Sequence, residues 1–338
     1  MYVIASHSGT ILTVSEDNRL YHAYPEESEA ILCFDALGNI VRSPVGFHEL
    51  DNVRIENNAD IVTLVSDGQY LCADICGSIG WRAVCSTMET FRFMSLDEYT
   101  VQKNQRIKFP RKIRKFSIEK NIHQIYLSPD VPEELLQASE AVRKINPEWS
   151  HTLYNEKDVV DFIYGFYGWD VLKYYLRINP RYGAARADFF RYLCVYQEGG
   201  VYIDMKAGFS KPLDTFIRPD DQFLISQWKN GEGEAFSGCG LGPEVASVNG
   251  GEYQQWHVIG AKGHPFLESV INGVLTRIHH YREDHFGNGK LGVLRVTGPY
   301  VYTMSINRIL NEYSHRFFDS LDSGIIYSVV TEHTRLFR

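Results

Sequence analysis

The chain has 338 residues and a formal net charge of −8, with 44% hydrophobic and 22% charged residues. That length suits two domains, each able to bury its own core, and the acidic balance argues against general nucleic-acid binding, which needs a basic face. No run of about 18 apolar residues occurs, so no membrane span is expected, and Cys33, Cys72, Cys76, Cys85, Cys194 and Cys239 lack the spacing of a zinc finger and read as scattered thiols.

Residues 1–100 read as an all-β domain. Val3–Ala5, Ile11–Val14, Ala30–Phe34, Ile61–Val65, Tyr70–Cys72 and Phe91–Phe93 are strand-like, and Ser8-Gly9, Gly38-Asn39, Asp67-Gly68 and Gly77 punctuate them. Two segments, Val3–Asp35 and Ile61–Leu96, look weakly repeated, each with a strand, a Gly-containing turn, a second strand and a later strand with Phe. Asp67-Gly-Gln-Tyr70-Leu-Cys-Ala-Asp74 with Glu89-Thr-Phe91 is similar to fascin-like and other β-trefoil repeats. That likeness implies a small trefoil-like domain; a plain β-barrel or sandwich is the alternative. The opening residues Met1–His7 lack the charged region and apolar run of a secretory leader, so a cytoplasmic protein is expected.

Residues 101–117 are basic, from Lys103 to Lys115, and read as a linker: a solvated connector, or a peripheral contact for an anionic membrane surface or charged glycan. From residue 118 to 338 the texture changes. Ile122–Tyr126 reads as a buried strand, Pro132–Asn146 as a helix with Pro at its start and acids in its first turn, His151–Tyr154 as a second strand and Asp158–Gly165 as a helix. Such alternation predicts an α/β domain with a mainly parallel sheet, whose ligands sit in a crevice at the carboxyl ends of the strands. Tyr126 and Asp204 both close predicted strands, so one crevice can hold both.

The densest signal runs from Arg186 to Asp214. Asp188 and Arg191 are three residues apart and project from one side of a predicted helix. Phe189, Phe190, Tyr192, Leu193 and Tyr196 give that helix apolar surface, Gly199-Gly200 is suited to its C-terminal cap, and Val201–Asp204 reads as a strand ending in a carboxylate. The 21 tyrosines suit sugar binding, since rings stack on the C–H faces of sugars, although most serve equally well as core.

Six ordered pieces carry a resemblance to a known family. Arg186-Ala-Asp188-x-x-Arg191-Tyr192 precedes Gly199-Gly200-x-Tyr202-x-Asp204-x-Lys206 and Lys211-Pro-Leu-Asp214; upstream lie Ile118-Glu-Lys120-Asn-Ile122-His123-Gln124-Ile125-Tyr126 and Asn146-Pro147-x-Trp149; Gly263-His264-Pro265-Phe266 follows. This set resembles the DXD-containing glycosyltransferases of family 32 and, more distantly, the sugar-transferring domain of large clostridial toxins. The likeness covers about residues 118–300; Lys206 stands where the family has the second acid of the DXD, and Glu119 and Tyr126 stand where it usually has Pro and Trp.

The resemblance implies a GT-A nucleotide-sugar-binding domain and a retaining transfer of a hexose from a UDP- or GDP-sugar to a glycan or other hydroxyl acceptor. It implies donor-sugar contacts from Asp188 and Arg191 and a catalytic role for these with Asp204. Donor contacts are also implied for Tyr126 beside the nucleobase, for Tyr202 and Gly200 near the phosphates, and for His123 and Gln124, which otherwise close the strand. The family's acids act through a divalent metal, usually Mn²⁺, with Asp204 as one ligand and His333 as a late one. Lys206 puts that metal in question: its ammonium either replaces part of the metal's charge or turns away while another residue ligates. Trp256 and His257 are candidates for an acceptor rim. The alternatives are a sugar- or nucleotide-binding protein without turnover, and a toxin-like enzyme that glycosylates a protein. A hydrolase with paired carboxylates fits poorly without a second acid.

Overall fold

The computed structural model describes residues 1–15, 17–28, 30–58, 61–74, 79–104 and 110–330. The chain divides into two compact units, Met1–Ile107 and Lys108–Arg338.

The first unit contains β1 (Tyr2–Ser6), β2 (Ile11–Val14), β3 (Leu20–Ala23), β4 (Ala30–Ile31), β5 (Cys33–Phe34), β6 (Ile40–Arg42), β7 (Arg54–Asn58), β8 (Ile61–Ser66), β9 (Gln69–Ala73), β10 (Ile79–Arg82) and β11 (Phe91–Ser95), followed by α1 (Leu96–Lys103). All of its strand pairings are antiparallel, and β11 pairs with both β1 and β8, the first strands of the two similar segments. Each of those strands opens a hairpin, β1 with β2 and β8 with β9. The second turn is Asp67-Gly68, with φ of 49° and 73°, the pair of left-handed residues that a two-residue hairpin matching strand twist requires. Strand β1 is buried along both faces because successive side chains point to opposite sides. Ile4 joins the main core with Leu12, Phe34, Leu64 and Phe91, whereas Val3 and Ala5 pack with Met94 and with Tyr99 of α1. Ser95 caps α1 by accepting from the Glu98 amide, so this helix carries the first unit past residue 100.

In the second unit β12 (Asn121–Ile125), β13 (Ser150–Tyr154), β14 (Gly200–Ile203), β16 (Phe223–Ile225), β17 (His257–Gly260) and β18 (Arg316–Phe317) form one sheet in the order β13-β12-β14-β17-β16-β18. The pair β15 (Gly208–Phe209) and β19 (Ile325–Ile326) forms a separate ladder. The sheet is mixed. The half β13-β12-β14 is parallel, but β17 runs antiparallel to both of its neighbours. The expectation of a mainly parallel sheet holds for the half whose strands alternate with helices. It misses β17, which returns after the long irregular stretch from 226 to 256.

Helices α2 (Glu133–Ile145), α3 (Glu156–Tyr167), α4 (Trp169–Arg177), α5 (Gly183–Glu198), α6 (Pro265–His279), α7 (Glu283–Phe286), α8 (Gly289–Val296) and α9 (Pro299–Asn307) complete the unit. Leu135, Ala138 and Val142 recur along one buried face of α2. Asn155 and Asp158 form a reciprocal capping box that starts α3 directly after β13. Helix α5 is buried on nearly all sides from Ala185 to Gln197 and ends at Gly199, whose φ of 68° is the left-handed stop. Gly200 is required by a close approach: at φ 101° a Cβ there would lie 2.3 Å from the Asn121 carbonyl oxygen of β12.

Part of the basic segment belongs to this unit. Arg111 pairs with Glu268, Arg114 donates to Gln222, and the Lys115 amide bonds to the Lys262 carbonyl. No helix among the described residues is long and apolar enough to cross a membrane.

Candidate functional site

Three recognised motifs meet as scaffolding rather than as chemistry. Asp214 accepts from the Trp149 indole (3.2 Å) and from Lys120 (2.9 Å), and Asn146 accepts from the Leu213 amide (2.8 Å). These bonds tie β12, the end of α2 and the Lys-Pro-Leu-Asp turn into one corner.

The chemistry lies where α5 meets the end of β14. Arg191 Nη2 is 3.0 Å from Asp188 Oδ1 and 3.1 Å from Asp204 Oδ1, so one guanidinium joins the helix carboxylate to the strand-end carboxylate. The Arg191 guanidinium also lies over the Tyr202 ring at 4.6 Å, and the Tyr202 hydroxyl donates to Asp204 Oδ1 (3.0 Å). Two residues distant in sequence complete the cluster. Gln255 accepts from Arg191 Nη1 through its main-chain oxygen (2.6 Å) and side-chain oxygen, and its Nε2 donates to Asp188 Oδ1 (3.2 Å). The Thr297 hydroxyl donates to Asp188 Oδ2 (3.2 Å), and Tyr192 donates to the Thr297 carbonyl (2.9 Å).

Exposure separates the two acids. The Asp188 side chain is 5% exposed and the Arg191 side chain 4%, whereas that of Asp204 is 23% exposed and is the member open to a ligand. Burial pushes the Asp188 carboxyl up to about 6; Arg191 opposes this and the Asp204 charge adds to it. A carboxylate held in this way accepts hydrogen bonds from hydroxyls at neutral pH, and the guanidinium beside it donates.

A crevice of about 530 Å³ opens at the carboxyl ends of β12 and β13, lined by Tyr126, Pro129, Leu153, Asn155 and Glu156 among others. Tyr126 lines it, whereas Asp204, expected in the same crevice, is not among its lining residues. A second cavity, about 300 Å³ and mainly apolar, lies between α5, α6 and α8 against Ala185, Ile278, Val293, Val296 and Thr297.

Other nominated residues lie elsewhere. His123 is buried with Nε2 2.9 Å from the Gly199 carbonyl, and Gln124 is fully buried, accepting from Ser139 (2.6 Å) with His151 Nε2 2.9 Å from the same oxygen. Both brace a central strand that is covered on each face. Gly200 serves the approach of β14 to β12. Trp256 and His257 are buried rather than at a rim. His257 Nε2 is 2.8 Å from the Ser226 hydroxyl, and burial, with Arg191 nearby, takes its pKa down to about 3. His333 lies outside the described residues.

Among the described residues the donor set does not suit a divalent metal. Asp204 is the single acid at the end of β14, its Oδ1 already shared between Arg191 and Tyr202, and Lys206 occupies the second position. Among the described residues no three His, Cys, Asp or Glu side chains come together as ligands. Lys206 instead donates to the Tyr327 hydroxyl (3.0 Å), with its Nζ 4.3 Å from the centre of that ring.

Comparison with known proteins bears on this arrangement. Residues 132–224 match the family described as "Glycosyltransferase sugar-binding region containing DXD motif". Inositol phosphoceramide mannosyltransferase 3 of Schizosaccharomyces pombe is 27% identical over 183 residues, 54% of this chain and 43% of that protein. The initiation-specific alpha-1,6-mannosyltransferase of Candida albicans is 27% identical over 246 residues, 68% of this chain and 63% of that one. The chain thus spans about half the length of the curated relatives it matches. Among solved structures, the UDP-bound glycosyltransferase domain of the YGT toxin aligns with a TM-score of 0.44 at 9% identity, over 64% of this chain and 82% of that domain. The matched span contains the Asp188–Arg191–Asp204 cluster, so this part of the chain is similar to the sugar-binding region of DXD-containing glycosyltransferases.

Proposed function

We propose that this protein is a retaining glycosyltransferase of GT-A architecture that moves a hexose from a UDP- or GDP-sugar to a hydroxyl acceptor. The observation that carries this reading is the buried Asp188–Arg191 pair, tied through Arg191 to the more exposed Asp204. Opposite charges joined where a helix meets a strand end, one of them partly exposed, are what a polar ligand with several hydroxyls and an anionic leaving group requires. The names of the relatives favour mannose as the sugar and a glycan or glycolipid as acceptor.

In this reading the nucleobase lies in the crevice beside Tyr126 and the sugar hydroxyls engage Asp188 and Arg191. Asp204 orients the ribose or the sugar near the diphosphate. The acceptor approaches from the same face as the departing diphosphate, which takes the acceptor's proton, so no side chain is assigned as a general base. The apolar cavity past Thr297 suits the hydrocarbon part of a lipid acceptor. A trefoil-like first unit would serve acceptor docking.

The test is a panel of UDP-glucose, UDP-galactose and GDP-mannose with glycan and glycolipid acceptors, following nucleotide release in the native protein and in Asp188→Asn. Turnover of one donor that drops in the variant supports the reading. Failure to bind or turn over any of the three would sink it. Lys206 at the second acid favours one alternative, a sugar-nucleotide binder without turnover, and binding without release under every acceptor would point there.

A further inference from the structure

We propose that Lys206, held on Tyr327, is the counter-charge for the donor's diphosphate, so that this site binds its nucleotide without a divalent metal. The inference rests on the nucleotide-sugar reading above and specifies how that site handles its anion.

The backbone sets the position. The Ala207 amide bonds to the Asp204 carbonyl (2.9 Å), closing a turn with Met205 and Lys206 at its corner. Asp204 and Lys206 therefore leave the end of β14 within one tight turn, with Asp204 held toward Arg191 and Lys206 toward Tyr327. Both partners of the Lys206 ammonium, the Tyr327 ring and hydroxyl, are uncharged. Among the described residues no carboxylate lies within ion-pair distance of it. That contrasts with Arg191, which is paired twice. A cation set on an aromatic face keeps its charge and its remaining N–H groups for another acceptor.

A second observation points to an anion at the same place. Tyr327 packs against Trp256 and Trp228 with ring centres 5.2 Å apart in each case. The Trp228 indole donates to Glu252 (2.9 Å), but the Trp256 indole N–H is buried and has no partner among the described residues. A buried donor left unmade is destabilising, and native structures keep few of them without a reason. Lys206 and the Trp256 N–H, both attached to the Tyr327 cluster, supply the charged and neutral donors that phosphate oxygens take up. The Trp256 carbonyl also accepts from the Asp204 amide (2.9 Å), which anchors this donor to the strand end.

The transfer step balances without a metal. The bond from the anomeric carbon to the β-phosphate oxygen breaks, with both electrons going to oxygen. The acceptor oxygen bonds to that carbon, and its proton passes to the departing phosphate oxygen. Lys206 stays protonated throughout; it contributes charge and donates no proton. Tyr327 is a positioning residue that acts through Lys206.

The test is calorimetric titration of the full chain with UDP and with GDP, in EDTA and again in Mn²⁺. For the nucleotide that binds, the affinity in EDTA is expected to match that in Mn²⁺. Losing a charge-assisted donor should make Lys206→Ala weaken binding about tenfold or more. Lys206→Arg should retain binding, and Lys206→Asp, which restores a second acid, should bind only with Mn²⁺. Wild-type binding that requires Mn²⁺, or Lys206→Ala binding like the native protein, would overturn the inference while leaving the transferase reading intact. No binding of either nucleotide under either condition would remove the donor reading itself, and this inference with it.

Discussion

The two ends of the site treat charge in opposite ways. At the sugar end, Asp188, Arg191, Gln255 and Thr297 bond to one another inside a buried cluster, where the charges are paired and the Arg191 Nε–H has no partner among the described residues. At the phosphate end, Lys206 leans on an uncharged ring, and the neighbouring indole N–H of Trp256 has no described partner. Charge that is neutralised internally fixes geometry; charge left without a counter-ion is available to a ligand. Stability changes should therefore concentrate at the first end and binding changes at the second.

The largest effect should come from Arg191→Met. It leaves two carboxylates facing each other with their common partner gone, a break that costs about 3–5 kcal/mol in buried pairs. Chemical unfolding should show that loss, and a native-like unfolding midpoint would mean that the sugar end is not structurally integrated. Asp188→Asn is the finer cut. Donor turnover should fall about 10²-fold or more, the size found when a positioned group serves the transition state, with the protein still folded by circular dichroism.

The same residue gives a pH signature. The folded Asp188 carboxyl sits at about 6 against an ordinary value of 3.8. Between those values the native state keeps a proton that the unfolded chain has lost. Its contribution to stability is fully present below about pH 4 and is lost as pH rises through 6. Donor affinity should move the other way, rising through pH 6 as the carboxylate forms. Both trends should vanish in Asp188→Asn, and a pH profile of either kind that survives the substitution would assign it to another group.

Gly200→Ala should cost about 1–3 kcal/mol, since the left-handed backbone and the Asn121 carbonyl both oppose a Cβ. Because β14 leads to both Asp204 and Lys206, this variant should weaken sugar and phosphate contacts together, measured as parallel losses for a nucleotide and for its sugar conjugate. The smallest effect belongs to Tyr327→Phe, which keeps the ring under Lys206 and removes one neutral hydrogen bond. Nucleotide affinity should drop about two- to fivefold, in line with roughly 0.5–1 kcal/mol for such a bond, with unfolding unchanged.

Much of this site was legible because its central pieces are local. The three-residue spacing of Asp188 and Arg191, the glycine stop at 199 and the acid after Val201–Ile203 are short-range signals, and the helix and strand appear where they were expected. Gln255 and Thr297 were harder, because their partner Asp188 lies 67 and 109 residues away and only tertiary packing selects it. His123 and Gln124 drew functional readings from the resemblance, and His257 from residue type alone. They sit on strands covered on both faces, where polar side chains serve the interior, and sequence periodicity does not reveal that second cover. The antiparallel course of β17 was hidden by the irregular chain preceding it. Tyr327 carried no motif, and its role depends wholly on what folds beneath it.

The turn at Lys206 has one further consequence. Its carbonyl accepts from the Val329 amide (2.8 Å), and the short ladder between β15 and β19 lies close by in the chain. The corner that we assign to the diphosphate is thus stitched to residues 325–329. Binding and docking of that stretch are then two readings of a single equilibrium, and thermodynamic reciprocity makes each strengthen the other by the same factor. A nucleotide should protect the chain near residue 328 from proteolytic cleavage, and anchoring that stretch should in turn tighten the nucleotide.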